Sequence, residues 1–167
     1  MTTDAERSML LDLVNSRIVW PDRVQDDLGT DAAASAWVIA HGGEGTAAEV
    51  DDARAVRPVL VDFLRGERGL DDLAPWTGAV ARHPVFDVDG VTWRDEIDPA
   101  RYVGARAMLE WASLQGPDGS RIRPCAASDC QHFLIDTSRA NSRKWHSMET
   151  CGNRAKARRH YARTRQA

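Results

Sequence analysis

Apolar residues recur at three- and four-residue steps through Met9, Leu10, Leu13, Val14 and Ile18, which predicts an amphipathic helix over about 4–17. Pro21 and Asp22 then break the pattern. Thr30 or Asp31 is placed to cap a second helix carrying Ala33, Ala36, Trp37 and Ala40, closed by Gly42 and Gly43. Thr46 and Glu49 form the capping box of a third helix running to about Arg65. Pro58 inside it predicts a kink or a division into two shorter helices. Leu73, Trp76 and Val80 share one face of a fourth helix over about 70–81.

From Pro84 to Arg94 the period shortens to two, with Val85, Asp87 and Asp89 interleaved between Phe86 and Val88. Asp89-Gly90 is a hairpin-turn signal, and Val91 and Trp93 continue the return strand. Asp98-Pro99 reads as the cap and first turn of a helix to about Leu114. The turn-forming run from Gly116 to Ser120 follows it. The expected fold is α+β: a mainly helical N-terminal domain with one β-hairpin, plus a small C-terminal module.

Charge places the boundary. Of 167 residues, 1–120 carry 11 Lys and Arg against 22 Asp and Glu, a net of −11. Residues 121–167 carry 11 against 3, a net of +8, and hold all three cysteines. We therefore expect an acidic domain over 1–120 and a basic module over 121–167. No apolar run approaches the ~18 residues of a membrane span. The acidic first thirty residues lack the pattern of a secretion signal, so a cytoplasmic protein is expected.

The acidic body offers no convincing chemistry. His41 and His83 sit beside helix breaks, as capping or surface residues do. The pairs Asp51-Asp52, Asp71-Asp72 and Asp95-Glu96 suit solvated first-turn charges better than a divalent-metal site. Trp20, Trp37, Trp76, Trp93 and Trp111 fit either core packing or an aromatic-lined pocket for a small molecule. There is no nucleophile–base pair and no phosphate-cradling glycine loop, so no enzyme is expected.

The basic module carries Cys125-x4-Cys130, fifteen residues, then His146-x4-Cys151. Two close pairs of thiolate and imidazole ligands are how a short chain encloses one Zn2+ tetrahedrally. Four ligands leave no open position, which points to a structural ion. His132 is an alternative fourth ligand but lies only two residues past Cys130. A short strand near Phe133, and a helix from about Glu149 to Arg165 entered through the second pair, together describe a treble-clef-like zinc module. That helix is basic over much of its circumference, with Arg154, Lys156, Arg158, Arg159, Arg163 and Arg165. Such a helix either keeps the protein soluble or meets the phosphates of a polyanion.

These residues resemble the bacterial CGNR zinc-finger family. The tetrapeptide stands here as Cys151-Gly152-Asn153-Arg154, after the elements Phe133-x-x-Asp136-Thr137-Ser138 and Arg143-x-Trp145-x-Ser147-Met148. Residues 1–120 are similar to the ABATE domain that usually precedes this finger, through Leu13-Val14-Asn15 and the helix order. The family usually has a cysteine where this chain has His146. That change makes the site less negative, and the imidazole is expected to release metal more readily near pH 5 than four thiolates would.

The resemblance implies a stress-induced transcription regulator. The expectation is a DNA-binding protein whose zinc module sets its basic helix on nucleic acid. The binding residues would be Arg143, Lys144, Asn153, Arg154, Lys156, Arg158, Arg159, Arg163 and Arg165. The N-terminal domain would sense a small molecule, form a homodimer, or compete with DNA for the basic tail. The alternative is a zinc-containing adaptor that binds RNA or an acidic protein.

Overall fold

The structure is a computed structural model and describes residues 8–164, apart from the side chains of Arg159, His160, Ala162 and Arg163. Helix α1 (Met9–Asn15) begins at Ser8, whose hydroxyl accepts from the N–H of Leu11. It buries Leu10, Leu13 and Val14, as their spacing requires. The expected turn before residue 8 lies outside the described residues. The expected last turn is replaced by a strand: Ile18 is buried, but in β1 (Arg17–Val19), which pairs antiparallel with β2 (Val24–Asp26). One apolar residue four positions past Val14 fits either period.

Thr30 caps α2 (Asp31–Ala40), accepting from the N–H of Ala33. Helix α3 (Ala47–Leu64) carries the capping box, with Thr46 accepting from Glu49 N–H while the Glu49 carboxylate receives Thr46 N–H at 2.8 Å. Burial alone would raise the pKa of Glu49, yet the N–H groups of Thr46 and Glu44 hold it below the usual value. Pro58 does not divide α3. Its ring is exposed and costs one backbone bond, while Val50, Ala53, Val56 and Leu60 anchor the helix on both sides of it.

The expected fourth helix is much shorter: a 3-10 turn (Leu70–Leu73) runs into α4 (Ala74–Thr77), and a strand has begun by Val80. Strands β3 (Val80–Asp87) and β4 (Gly90–Ile97) form the longest ribbon. Its two-residue turn is Val88-Asp89, one position earlier than the Asp-Gly signal suggested. Gly90 instead opens the return strand at φ 130°, in the region glycine favours. Asp98 and Pro99 start a 3-10 turn (Pro99–Arg101) leading into α5 (Tyr102–Ser113). The turn-forming run folds as the small hairpin β5 (Gln115–Gly116) and β6 (Gly119–Ser120). Next come β7 (Ile122–Pro124), β8 (Phe133–Ile135), a π-helical turn (Met148–Gly152) and α6 (Asn153–Thr164).

The result is an α+β fold in which two-stranded ribbons accompany the helices. The body has more than the single hairpin expected of it, since β1–β2 and β3–β4 both belong to it. Leu10, Leu13, Val38, Val56, Leu60, Leu73 and Val103 form its core. Ile122 and Phe133, from the cysteine-bearing ribbon, are buried in the same core. Asn15 mimics a neighbouring strand there: its amide donates to Phe133 C=O at 3.2 Å and accepts Phe133 N–H at 2.8 Å. Gln131 does the same to the backbone of Val19, at 3.0 and 3.1 Å.

Asp52 is buried and structural. It accepts the indole N–H of Trp76 at 2.6 Å and the N–H of Gly104 at 2.9 Å, locking α3 to α4 and α5. No helix of the described residues is long and apolar enough to cross a membrane.

Candidate metal centre

Strands β7 and β8 pair Ile122 with Ile135 and Pro124 with Phe133, leaving residues 125–132 as a knuckle between them. The N–H of Cys125 donates to His132 C=O, and that of Cys130 to Ala127 C=O, which curls the Cys-x4-Cys segment back on itself. A long loop returns to the knuckle, where Ala126 N–H donates to Lys144 C=O. Ser147 then caps the π-turn that carries Cys151.

These elements gather Cys125, Cys130, His146 and Cys151 with their ligand atoms all within 4.8 Å of one another. His146 Nδ1 lies 3.2 Å from Cys130 Sγ and 3.5 Å from Cys151 Sγ. A tetrahedral zinc site with bonds of about 2.0–2.3 Å has edges of about 3.4–3.8 Å between ligand atoms, and the two His146 distances lie close to that range. His132 stands outside the set, stacked on the His146 ring at 4.4 Å. Burial first, then the neighbouring Cys125 sulfur, pushes Cys130 up to about 12. Cys125 is held down despite its burial by the N–H groups of Ala127 and His146. Burial lowers the pKa of His146, and His132, Arg143 and Arg154 lower it further, so the imidazole is kept neutral and able to bind a metal.

The surrounding motif residues brace this cluster. Asp136, fully buried, accepts the N–H of Ser138 at 2.8 Å and of Arg143 at 2.6 Å. The Ser138 hydrogen bond, with those N–H groups and Arg123 nearby, lowers its pKa to about 2. The Arg143 guanidinium donates to the carbonyls of Trp145 and His146, at 3.0 and 2.6 Å, and so holds the His146 loop. A Cβ on Gly152 would meet Met148 Sδ at 2.7 Å and the Trp145 ring at 3.3 Å, so a larger residue there would have to displace the flexible, exposed Met148 side chain. Arg154 donates to Cys151 Sγ at 3.4 Å and pairs with Asp129 at 3.2 Å; Arg158 joins the same carboxylate at 3.0 Å.

The chain matches two family models. The CGNR zinc finger matches residues 121–164. The ABATE family, described as "Putative stress-induced transcription regulator", matches residues 7–128. The protein belongs to the ABATE family. No curated protein matches the chain. The two matches overlap over 121–128, where β7 leads into the knuckle of this ABATE protein.

Of the residues expected to meet nucleic acid, Lys144, Asn153, Arg154, Lys156 and Arg158 are exposed on the finger. Arg143 is exposed too, though its guanidinium is turned onto the loop. The side chains of Arg159 and Arg163, and all of Arg165, lie outside the described residues. Lys144, Trp145, Arg154 and Arg158 line an open cleft of about 530 Å3 between the knuckle and α6. Sequence reasoning missed Asp129 as the anchor of two arginines, because its role depends on α6 folding back over the knuckle. The body tryptophans do not converge: Trp76 is core, Trp37 stacks on His41, Trp111 meets Phe63 edge-on, Trp20 lies under Arg23, and Trp93 is exposed.

Proposed function

We propose that this ABATE protein is a non-enzymatic, DNA-binding transcription regulator of the cytoplasm. One structural zinc ion, held by Cys125, Cys130, His146 and Cys151, would fix α6 and the adjoining cleft against nucleic acid. The observation that carries this reading is the cleft, where Lys144, Arg154 and Arg158 share one concave surface with the half-buried ring of Trp145. Cationic side chains neutralise phosphates, and an aromatic face beside them suits a nucleotide. The order of strand, knuckle, strand and ligand-bearing helix supports a treble-clef-like module. The family description points in the same direction.

Asp129 tempers this surface. Its single carboxylate pairs with both Arg154 and Arg158, and phosphates would compete with it for the two guanidinium groups. The acidic body would act as the sensing or dimerising half.

The test is duplex DNA binding by full-length, zinc-loaded protein across a salt series, with and without chelator. Log affinity is expected to fall linearly with log salt and to vanish with the metal. Lys156→Gln should reduce the slope by about one phosphate contact. Asp129→Asn should raise affinity. Zinc-loaded protein that binds no duplex refutes the DNA reading and leaves the adaptor for RNA or an acidic protein.

A further inference from the structure

The β3–β4 ribbon has two unlike faces. Residues paired across an antiparallel ribbon share a face, so Pro84 with Trp93 and Phe86 with Val91 stand on one side, continued by Val88 at the tip. The opposite side carries His83 opposite Arg94 and Val85 opposite Thr92, with His83 also 3.2 Å from Glu96. In a soluble ribbon the apolar side normally lies on a core. Here Phe86 is 75% exposed, Val88 101%, Val91 53% and Trp93 62%.

We propose that this face is where a second copy of the chain docks, its own Phe86–Trp93 face stacked against the first across a two-fold axis. Three observations favour this occupant. The first is charge: among the described residues the one ion pair on the face, Arg82 with Asp95 at 2.6 Å, is closed within the ribbon, so an identical face brings no unpaired charge against it. The second is area. With aromatic side chains of 150–250 Å2, the face presents about 500 Å2, the upper end of what monomers leave exposed. Two such faces would bury about 1,000 Å2, the threshold of a specific interface and its weak end.

The third is the edge of the ribbon. A two-residue turn makes Asp87–Gly90 a hydrogen-bonded pair, so Pro84–Trp93 falls at a non-hydrogen-bonded position. The N–H that Pro84 lacks would have pointed outward from β3. The ladder keeps its bonds, and β3 is blocked against adding another strand at its edge. What remains on that side is face-to-face packing. The pairing does not depend on the DNA reading, because no residue of the face belongs to the zinc module.

The test is the molar mass of the full-length, zinc-loaded protein by light scattering or sedimentation over micromolar to submillimolar concentrations. The mass should rise toward twice the 18.5 kDa chain. The double variant Phe86→Ser/Trp93→Ser should raise the dimer dissociation constant by about 30-fold or more. Arg94→Gln, on the other face, should leave it unchanged. All three side chains are exposed, so zinc content and circular dichroism should match the wild type in each variant. A mass that stays at one chain, or a dimer indifferent to Phe86 and Trp93, overturns the proposal; the first result would leave the face to another macromolecule.

Discussion

At the scale of single residues, the motifs are best understood through what stands next to them. Gly104 shows this in the body: a Cβ there would lie 1.9 Å from Cδ1 of the buried Trp76 ring. The ring cannot move aside, because its N–H is held by Asp52. Gly104→Ala is therefore expected to destabilise the protein by about 1–3 kcal/mol through overpacking, read as a lower urea midpoint at unchanged slope. A midpoint equal to wild type would mean that the α4–α5 contact is looser than it stands. In the finger, Arg154 and Asp136 each have a local duty to the cluster. The clustering of Cys125, Cys130, His146 and Cys151 was legible in the sequence because a metal site would restrict both residue type and spacing. The duties of Asp129 and Arg143 were not, since each depends on a loop or helix returning from elsewhere in the chain.

Elements were legible where a local signal terminates them. Thr46-x-x-Glu49, Thr30 and Asp98-Pro99 bind backbone groups within a few residues, and the helices begin where these say. Elements without such a signal were misjudged, as at Ile18 and over 70–81. Three-residue strands and single helical turns contain too few positions to distinguish a period of two from 3.6. The loop between β8 and the π-turn depends on Asp136, which joins Ser138 to Arg143 and so closes the path to His146. Asp136→Asn is expected to lower stability and weaken zinc retention. The folded carboxyl lies at about 2 against an ordinary 3.8, so its contribution is complete above the ordinary value and lost as pH falls toward 2. The stability difference between variant and wild type should thus stay flat from about pH 5 to 8; a difference that changes across that range would implicate another group.

For the whole molecule, the metal module and the helical body are parts of one packed unit. Ile122 and Phe133 lie in the main core, Asn15 pairs with the Phe133 backbone, and the Arg65 guanidinium stands 5.6 Å from the Phe133 ring centre. The charge reversal near residue 120 marks a change of surface and says nothing about the interior, which is why the sequence did not reveal this seam. A bound ion that favours only the folded state adds about 4 kcal/mol at a thousandfold excess over its dissociation constant. Chelation is therefore expected to lower the melting temperature of the entire chain, on the order of 10 °C, in a single transition. Two separate transitions, the upper one indifferent to chelator, would show that the seam does not couple the halves.

The seam bears on how such proteins can be recombined. A graft joined at residue 121 would give the recipient a finger whose Phe133 has no socket and whose backbone has no asparagine amide to meet. The donor body would keep a hole where that ring had been. A workable exchange has to carry the socket along with the finger, because the packed unit here is wider than the stretch of sequence that holds the Cys3His cluster.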